Sequence, residues 1–304
     1  MELSSERSPN FGRRSRSGVS TRGFFPYNLQ YRMPATLDQI IGATRARVAR
    51  QKPSVDLRQL ERAAETHVPR GFRQSLAARS QSSSAIIAEL KKASPSRGVI
   101  RADFDPEMLA KELESAGATA LSVLTNTEYF QGSLDSLRLA SSVTRLPCLR
   151  KDFFVDEIQI IEARANGADA ILLIVAALTQ SELENLANRA RAMGLDILCE
   201  VHDASELERA VDTGFNLIGV NNRDLRTFQV NLETAIRLAD RIPAGILRVA
   251  ESGIHNGSDI SRLIGAGYHA FLIGESLMKA QSPGAALQTL IEESKPPVSV
   301  RSRH

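Results

Sequence analysis

Residues 168–201 read ADAILLIVAALTQSELENLANRARAMGLDILCEV and contain one complete unit of the pattern that decides the fold. The runs AILLIV at 170–175 and DILCE at 196–200 are short and almost continuously apolar, which is typical of parallel strands covered on their outer face. Between them, QSELENLANRARAMG at 180–194 has helical spacing and ends at Gly194, the residue type that most often closes a helix. The stretch therefore predicts a strand, a helix and a second, parallel strand.

The same unit recurs along most of the chain. Short apolar runs occur at 84–90, 119–124, 146–150, 170–175, 196–200, 216–220, 246–250 and 269–273. Helical patterns separate them, and many of these end in glycine, at Gly117, Gly167, Gly194, Gly214 and Gly267. Eight such units favour an α/β fold of the (β/α)8 TIM barrel type, because doubly wound sheets more often have five or six strands and reverse their strand order.

Extra N-terminal helices precede this pattern. TLDQIIGATRARVARQK at 36–52 places apolar residues on one face, and Thr36 is a suitable N-cap. A second helical segment covers 56–65, and HVPRGFRQSLA at 67–77 is interpreted as a linker. We expect these helices to lie outside the eightfold pattern, over one end of the barrel.

The composition is that of an ordinary globular protein, with 42% hydrophobic and 24% charged residues among 304. No run approaches the roughly 18–20 apolar residues that cross a bilayer. Cys148 and Cys199 lie far apart and lack the spacing of a disulfide framework or a zinc site, so we predict a cytoplasmic location.

The two ends of the chain differ from the rest. Residues 1–33 are predicted to be a disordered basic extension, residues 34–295 the barrel with its helical extension, and residues 296–304 a disordered tail. The net charge is +3, to which residues 1–32 contribute +4. The basic segment could be a nucleic-acid-binding arm, a targeting peptide or a dispensable extension before Met33, and we favour the last.

Active sites of such barrels lie at the carboxyl ends of the strands, so polar residues there are the candidates. Side chains alternate along a strand, so Glu89 and Lys91 share a face, which is the barrel interior if Ile87 lies deeper on it. By the same argument Lys151 and Glu200 point inward. Two acids and two lysines at one mouth suit proton transfer. The alternative is that each charge only solvates the rim.

Histidine and cysteine add little to this set. His202 alone follows an inward-facing strand end closely, and we interpret it as part of the loop structure. Cys199 alternates outward from Glu200 and is expected to pack against the helices. No histidine or carboxylate cluster has the spacing of a metal site.

Two glycine-containing loops indicate a phosphate site. ESGI at 251–254 and IGESLM at 273–278 follow the seventh and eighth strands, where barrels commonly bind phosphate. The second loop also opens a short helix, whose free N–H groups attract an anion. The alternative is that Gly253 and Gly274 only make tight turns.

Taken in order, these strand ends resemble the indole-3-glycerol phosphate synthase family. The resemblance covers roughly residues 34–295 and rests on IIAELKKASPSRG (86–98), LRKDF (149–153), CEVHD (199–203), GVNNRDL (219–225), VAESGI (249–254) and FLIGESLM (271–278). It implies ring closure, decarboxylation and dehydration of 1-(2-carboxyphenylamino)-1-deoxyribulose 5-phosphate to indole-3-glycerol phosphate, a carboxy-lyase reaction of tryptophan biosynthesis.

The resemblance also implies residue roles. Lys151 would protonate the ketone oxygen. Glu200 and Lys91 would serve the later proton transfers, with the acid and base roles left open between them. Glu89 and Asn221 would orient the substrate and the lysines. Arg223 would line the mouth, with apolar walls from Phe130, Phe153, Leu172 and Leu225. The phosphate would be held by Ser94, Ser252, Gly253, Gly274 and Glu275.

No cofactor or metal is implied, and the expected ligand is a small phosphorylated molecule. We expect no nucleic acid and no membrane as partners, while the resemblance leaves open a loose association with other tryptophan-pathway enzymes.

One alternative function is another phosphate-binding barrel such as phosphoribosylanthranilate isomerase, whose Cys/Asp acid–base pair does not match Lys91, Lys151 and Glu200. A nucleic-acid-binding protein is the other, but residues 33–304 carry a net charge of −1.

Overall fold

The computed structural model describes residues 35–225 and 227–294. The disorder predicted for residues 1–33 and 296–304 concerns segments outside the described residues, so it stays a prediction, as do the exact limits of the 34–295 domain.

Eight parallel strands close into a barrel. They are β1 (Ala85–Leu90), β2 (Ala120–Leu124), β3 (Cys148–Lys151), β4 (Ala170–Ile174), β5 (Asp196–Val201), β6 (Leu217–Asn221), β7 (Leu247–Glu251) and β8 (Ala270–Ile273). Each strand pairs with its neighbours in the chain, and β8 returns to β1 with Ala270 opposite Ala85. The predicted TIM barrel is therefore confirmed, and the predicted strand ends are displaced by at most two residues.

Helices surround this barrel. In chain order they are α1 (Leu37–Gln51), α2 (Leu57–Glu65), α3 (Phe72–Ser80), α4 (Pro106–Ser115), α5 (Thr127–Phe130), α6 (Leu134–Val143), α7 (Glu157–Ala165), α8 (Gln180–Ala192), α9 (Ala204–Asp212), α10 (Glu233–Ala239), α11 (Gly257–Gly265), α12 (Glu275–Lys279) and α13 (Pro283–Glu293). Short 3₁₀ helices cover Lys52–Ser54 and Val175–Ala177, and Ala93–Ser94 pairs with Gly98–Val99 in a small hairpin. The five glycines predicted to close helices all have positive φ.

Alternation along the strands divides the core into two layers. Ile87, Leu149 and Leu198 belong to a buried cluster inside the barrel, whereas Ile86 and Cys199 belong to the larger cluster between strands and helices. Complete burial of such an aliphatic side chain contributes about 1.5–3 kcal/mol. Because the inward positions continue to the strand ends, this pattern fixes which polar side chains reach the mouth.

The N-terminal extension closes the amino-terminal end of the barrel through a helix that the sequence does not predict. Thr36 forms the expected capping box at the start of α1. The interpretation of 67–77 as a linker is wrong, because α3 begins at Phe72. Phe72 and Leu76 are fully buried and join the inner cluster with Ala85, so α3 closes the amino-terminal end. With only two apolar anchors among nine residues, α3 has little helical periodicity to detect.

An ion-pair cluster fixes this extension to the barrel. Arg70, just before α3, donates from Nη2 to Asp169 Oδ2 over 2.6 Å, and His67 Nε2 lies 3.1 Å from Asp169 Oδ1. Asp169 also accepts the backbone N–H of Cys148 over 2.6 Å. Burial opposes the charge, but His67 and Arg70 lower the pKa of Asp169. The carboxylate thus ties the extension to the starts of β3 and β4.

Candidate active site

A cavity of about 460 Å³ opens at the carboxyl ends of the strands. Ser94 does not line it but contributes to an adjoining cavity of about 120 Å³, which Lys91 and Glu275 also line. The other predicted site residues all line the larger cavity: Glu89, Lys91, Phe130, Lys151, Phe153, Leu172, Glu200, Asn221, Arg223, Leu225, Ser252, Gly253, Gly274 and Glu275. The structure therefore brings the predicted set together, while the role of each residue stays a prediction.

Two glycines make room for carboxylates at the mouth. A Cβ on Gly274 would overlap Glu89 Oε2 and lie 2.8 Å from Glu89 Cβ. A Cβ on Gly219 would overlap Glu251 Oε1 in the same way. Side chains at these two positions would displace the acids, which gives Gly274 a role beyond a tight turn.

Lys151 is the centre of the charged cluster. Its Nζ lies 3.2 Å from Glu200 Oε2 and 3.1 Å from Glu251 Oε2, and donates to both. The Lys151 side chain is 15% exposed and those of Glu200 and Glu251 are 3% and 2% exposed. One ammonium therefore serves two buried carboxylates at the bottom of the cavity.

The burial and charges of this cluster move its pKa values apart. Burial opposes the charged form of Lys151, but the carboxylates of Glu251 and Glu200 outweigh it and raise the pKa of the ammonium. Burial also opposes ionisation of Glu200, yet Lys151 and His202 lower the pKa of that carboxyl. Burial raises the pKa of Glu251 despite the opposing ammonium of Lys151. Lys151 is thus a proton donor that stays charged, Glu200 is an ionised carboxylate, and Glu251 is a carboxyl that accepts a proton readily.

Glu89 and Lys91 form a second pair on the wall of the cavity. Lys91 Nζ donates to Glu89 Oε2 over 2.5 Å, and the lysine side chain is 16% exposed. Since Glu89 is itself buried, it positions an ammonium that reaches the cavity. This geometry agrees with the predicted inward direction of both side chains.

Asn221 links the carboxylate cluster to the rim. Its Nδ2 donates to Glu200 Oε1 over 3.1 Å, and its Oδ1 accepts the backbone N–H of Arg223 over 3.0 Å. Arg223 in turn donates from Nη1 to the Phe228 carbonyl over 3.3 Å. The amide thereby fixes both the Glu200 carboxylate and the start of the loop that carries Arg223.

The candidate phosphate site has unusual backbone and a charged neighbour. Ser252 and Gly253 both have positive φ, at 65° and 79°, and a Cβ on Gly253 would lie 2.6 Å from Val230 Cγ1. Glu275 at the start of α12 pairs with Lys279 over 2.6 Å and with Arg97 over 3.2 Å. Burial opposes ionisation of Glu275, but Lys279 and Arg97 lower the pKa of its carboxyl. Together with Arg223, whose Nη2 lies 3.7 Å from Glu275 Oε2, these two cations neutralise the carboxylate beside this site.

Aromatic and aliphatic side chains also line the cavity. The rings of Phe130 and Phe153 lie 6.2 Å apart with their planes inclined by 37°. Leu172 from β4 and Leu225 from the loop after β6 line the same cavity. Apolar and charged side chains in one cavity suit a substrate with an aromatic and an ionic part.

Sequence reasoning gave no role to several residues that line the cavity, Glu251 and Phe228 among them, and it did not predict the contact of His202 with Glu200. Glu251 has the same inward parity as Glu200 on its strand, which was a usable signal, whereas Phe228 lies on an irregular loop. His202, interpreted as loop structure, has its Nε2 3.2 Å from Glu200 Oε1.

The described residues contain neither a metal-ligand cluster nor a membrane-spanning helix. Among residues 35–225 and 227–294, no group of three or more His, Cys, Asp or Glu side chains is arranged to hold a metal ion. Within the same ranges, no helix is long and apolar enough to cross a membrane.

Comparisons with known proteins agree with this geometry. A family profile described as indole-3-glycerol phosphate synthase matches residues 37–290. A protein of Koribacter versatilis (strain Ellin345) named indole-3-glycerol phosphate synthase is 59% identical over 259 residues, which are 85% of this chain and all of that protein.

Solved structures support the fold alone. A 3-hexulose-6-phosphate synthase matches with a TM-score of 0.55 and 13% identity, over 69% of this chain and 99% of that chain. An orotidine 5'-phosphate decarboxylase from Pyrococcus horikoshii OT3 matches with a TM-score of 0.53 and 14% identity, over 68% and 98%.

Proposed function

This chain belongs to the indole-3-glycerol phosphate synthase family, and from that premise we propose how its cavity performs the family's reaction. The enzyme is a carboxy-lyase of tryptophan biosynthesis, and its substrate is 1-(2-carboxyphenylamino)-1-deoxyribulose 5-phosphate. The observation that carries the assignment of roles is the Lys151 ammonium held between two buried carboxylates.

Ring closure uses Lys151 as the acid. The aromatic carbon that bears the carboxylate attacks the ketone carbon, and the ketone oxygen gathers negative charge. Lys151 donates a proton to that oxygen as the carbon–carbon bond forms. Its raised pKa keeps the ammonium charged until the developing alkoxide takes the proton. Loss of carbon dioxide then returns the bonding electron pair to the ring and restores aromaticity.

Dehydration uses the other charged side chains. The hydroxyl formed in ring closure leaves as water, while a proton is removed from the neighbouring carbon that carries the nitrogen. We assign proton removal to Glu200, supported by its ionised state and its place beside Lys151. We assign protonation of the leaving hydroxyl to Lys91. The hydrogen bond from its ammonium to Glu89 at the cavity wall supports this assignment. The carbon–carbon double bond that results completes the indole.

Substrate binding divides the cavity into two halves. The anthranilate ring is assigned to the wall of Phe130, Phe153, Leu172 and Leu225. The phosphate is assigned to Ser94, Ser252, Gly253, Gly274 and the backbone N–H of Glu275, with Arg223 at the rim. A volume of about 460 Å³ is in the range of small-molecule sites.

The alternative barrel enzyme with a Cys/Asp pair gains no support. Cys148 and Cys199 are fully buried in the layer between strands and helices, so neither thiol reaches the cavity. The outward direction predicted for Cys199 is thereby confirmed.

Two further assignments are proposals as well. Two free, buried cysteines fit a reducing compartment, which supports a cytoplasmic location. A loose association with other tryptophan-pathway enzymes would be tested by sedimentation of the purified components together, with co-migration supporting it.

The test of function is turnover of the carboxyphenylamino substrate by the purified protein. Because the chain contains no tryptophan, indole emission can be followed against a low background. We expect a continuous rise of indole fluorescence at the same rate with and without a chelator. Absence of product would refute the assigned roles, and a rate abolished by the chelator would refute the cofactor-free chemistry.

A further inference from the structure

His202 contacts Glu200, the proposed dehydration base. It follows β5, two residues after Glu200, so both side chains leave the strand on the same face. The His202 side chain is 13% exposed and does not line the cavity. Any effect on the reaction must therefore pass through another residue.

Two carboxylates flank the imidazole. Glu206 Oε2 lies 2.9 Å from Nδ1 and also accepts the backbone N–H of His202 over 2.8 Å. On the other side, Nε2 lies 3.2 Å from Glu200 Oε1 in an ion pair whose geometry is not that of a hydrogen bond. The ring is thus anchored to α9 through Glu206 and faces the carboxylate of Glu200.

We propose that His202 is a positioning residue that, as an imidazolium, fixes the Glu200 carboxylate and keeps it ionised for dehydration. This inference rests on the role proposed for Glu200. Oxygen Oε1 of Glu200 then has two fixed neighbours, His202 and the amide of Asn221, while Oε2 faces Lys151. A carboxylate held from three sides has little freedom to rotate away from the substrate.

The charges around the ring favour its protonated form. Glu200 on β5 and Glu206 on α9 are the ionisable groups that contact it, and the Val175–Ala177 turn packed against these elements carries no charge. Burial opposes protonation, but the two carboxylates outweigh it and raise the pKa of His202 to about 10. A neutral ring would leave the buried Glu200 and the partly buried Glu206 with no cation between them.

The first test is kinetic and uses His202→Asn, which keeps a polar side chain but no charge. We expect kcat to fall about 10- to 100-fold, the range for a misplaced catalytic group, while KM changes by less than about twofold. The matched control is His269→Asn at the amino-terminal end of β8, for which both constants should stay within about twofold of wild type. Unchanged kcat in His202→Asn, or a rise in KM alone, would overturn the proposal.

The second test needs no substrate and no deletion of the imidazole. In ¹⁵N-histidine-labelled protein, the His202 ring should stay doubly protonated from pH 5.5 to 8.5. Glu206→Gln leaves the ring in place and should bring its titration toward the ordinary histidine pKa of about 6.5. A wild-type ring that titrates near that value would overturn the proposal. Lack of turnover by wild type would instead refute the proposed function.

Discussion

Replacing Lys151 by methionine removes the charge at the centre of the site while keeping an unbranched side chain of similar length. Loss of a positioned general acid lowers rates by about 10²- to 10⁴-fold. At about 1.4 kcal/mol for each tenfold, this corresponds to roughly 3–5 kcal/mol of transition-state stabilisation. We therefore expect kcat of Lys151→Met to fall by at least about 100-fold.

The same change should alter how stability depends on pH. Removing one partner of a buried ion pair destabilises by about 3–5 kcal/mol, and Lys151 serves two carboxylates. In wild type the lowered pKa of Glu200 means that its stabilisation is present at neutral pH and lost as the pH falls. In the variant the pKa of Glu251, already raised in wild type, rises further without the ammonium, so its contribution to stability is present at low pH and lost as the pH rises.

The variant should therefore be less destabilised, relative to wild type, at pH 5.5 than at pH 8. For each proton that the folded variant binds and folded wild type does not, the difference in unfolding free energy shrinks by up to about 1.4 kcal/mol per pH unit. Urea titrations followed by circular dichroism at the two pH values measure this difference, and indole fluorescence measures kcat. Lys111→Met, on the exposed face of α4, is the matched control. Turnover within about threefold of wild type, or a difference independent of pH, would refute the reasoning.

Three further predictions concern Glu251, Gly274 and residues 1–32. Glu251→Gln removes one of the carboxylates that raise the pKa of Lys151, so kcat of the variant should decline at a lower pH than kcat of wild type, and coinciding kcat–pH profiles would contradict this. Gly274→Ala should lower kcat at least about tenfold, because a Cβ at this position overlaps the Glu89 carboxylate and displaces it. A variant with the kcat of wild type would show that Glu89 is not held as described. Deleting residues 1–32 should leave kcat/KM within about twofold of wild type, and a larger loss would give that segment a function.

Much of the fold was predictable because strands that are buried on both faces have nearly continuous apolar sequences. Apolar runs such as AILLIV mark barrel strands, and the inner and outer layers preserve the period of two. That period also placed Glu89, Lys151 and Glu200 correctly at the mouth. Helix α3 could not be predicted in this way, because its two fully buried large side chains, Phe72 and Leu76, cover the end of the barrel and not its side.

What could not be predicted depends on contacts between distant segments. That Glu251 shares Lys151 with Glu200 is a property of the closed barrel, since β3, β5 and β7 are not adjacent. The overlap that makes Gly274 necessary involves Glu89 on β1, which only the closure of β8 onto β1 brings close. The contact of His202 with Glu206 was visible as a spacing of four residues, but its meaning depended on where Glu200 points.

The central claim is that one buried cluster divides the chemistry, with Lys151 acting in ring closure and Glu200 in dehydration. The most direct test follows carbon dioxide and indole together in Glu200→Gln, using substrate labelled in its carboxylate. Wild type should release one carbon dioxide for each indole throughout. In Glu200→Gln, carbon dioxide should appear ahead of indole, because ring closure and decarboxylation precede the blocked step. Release of both products in step, at a reduced rate, would contradict the division of roles.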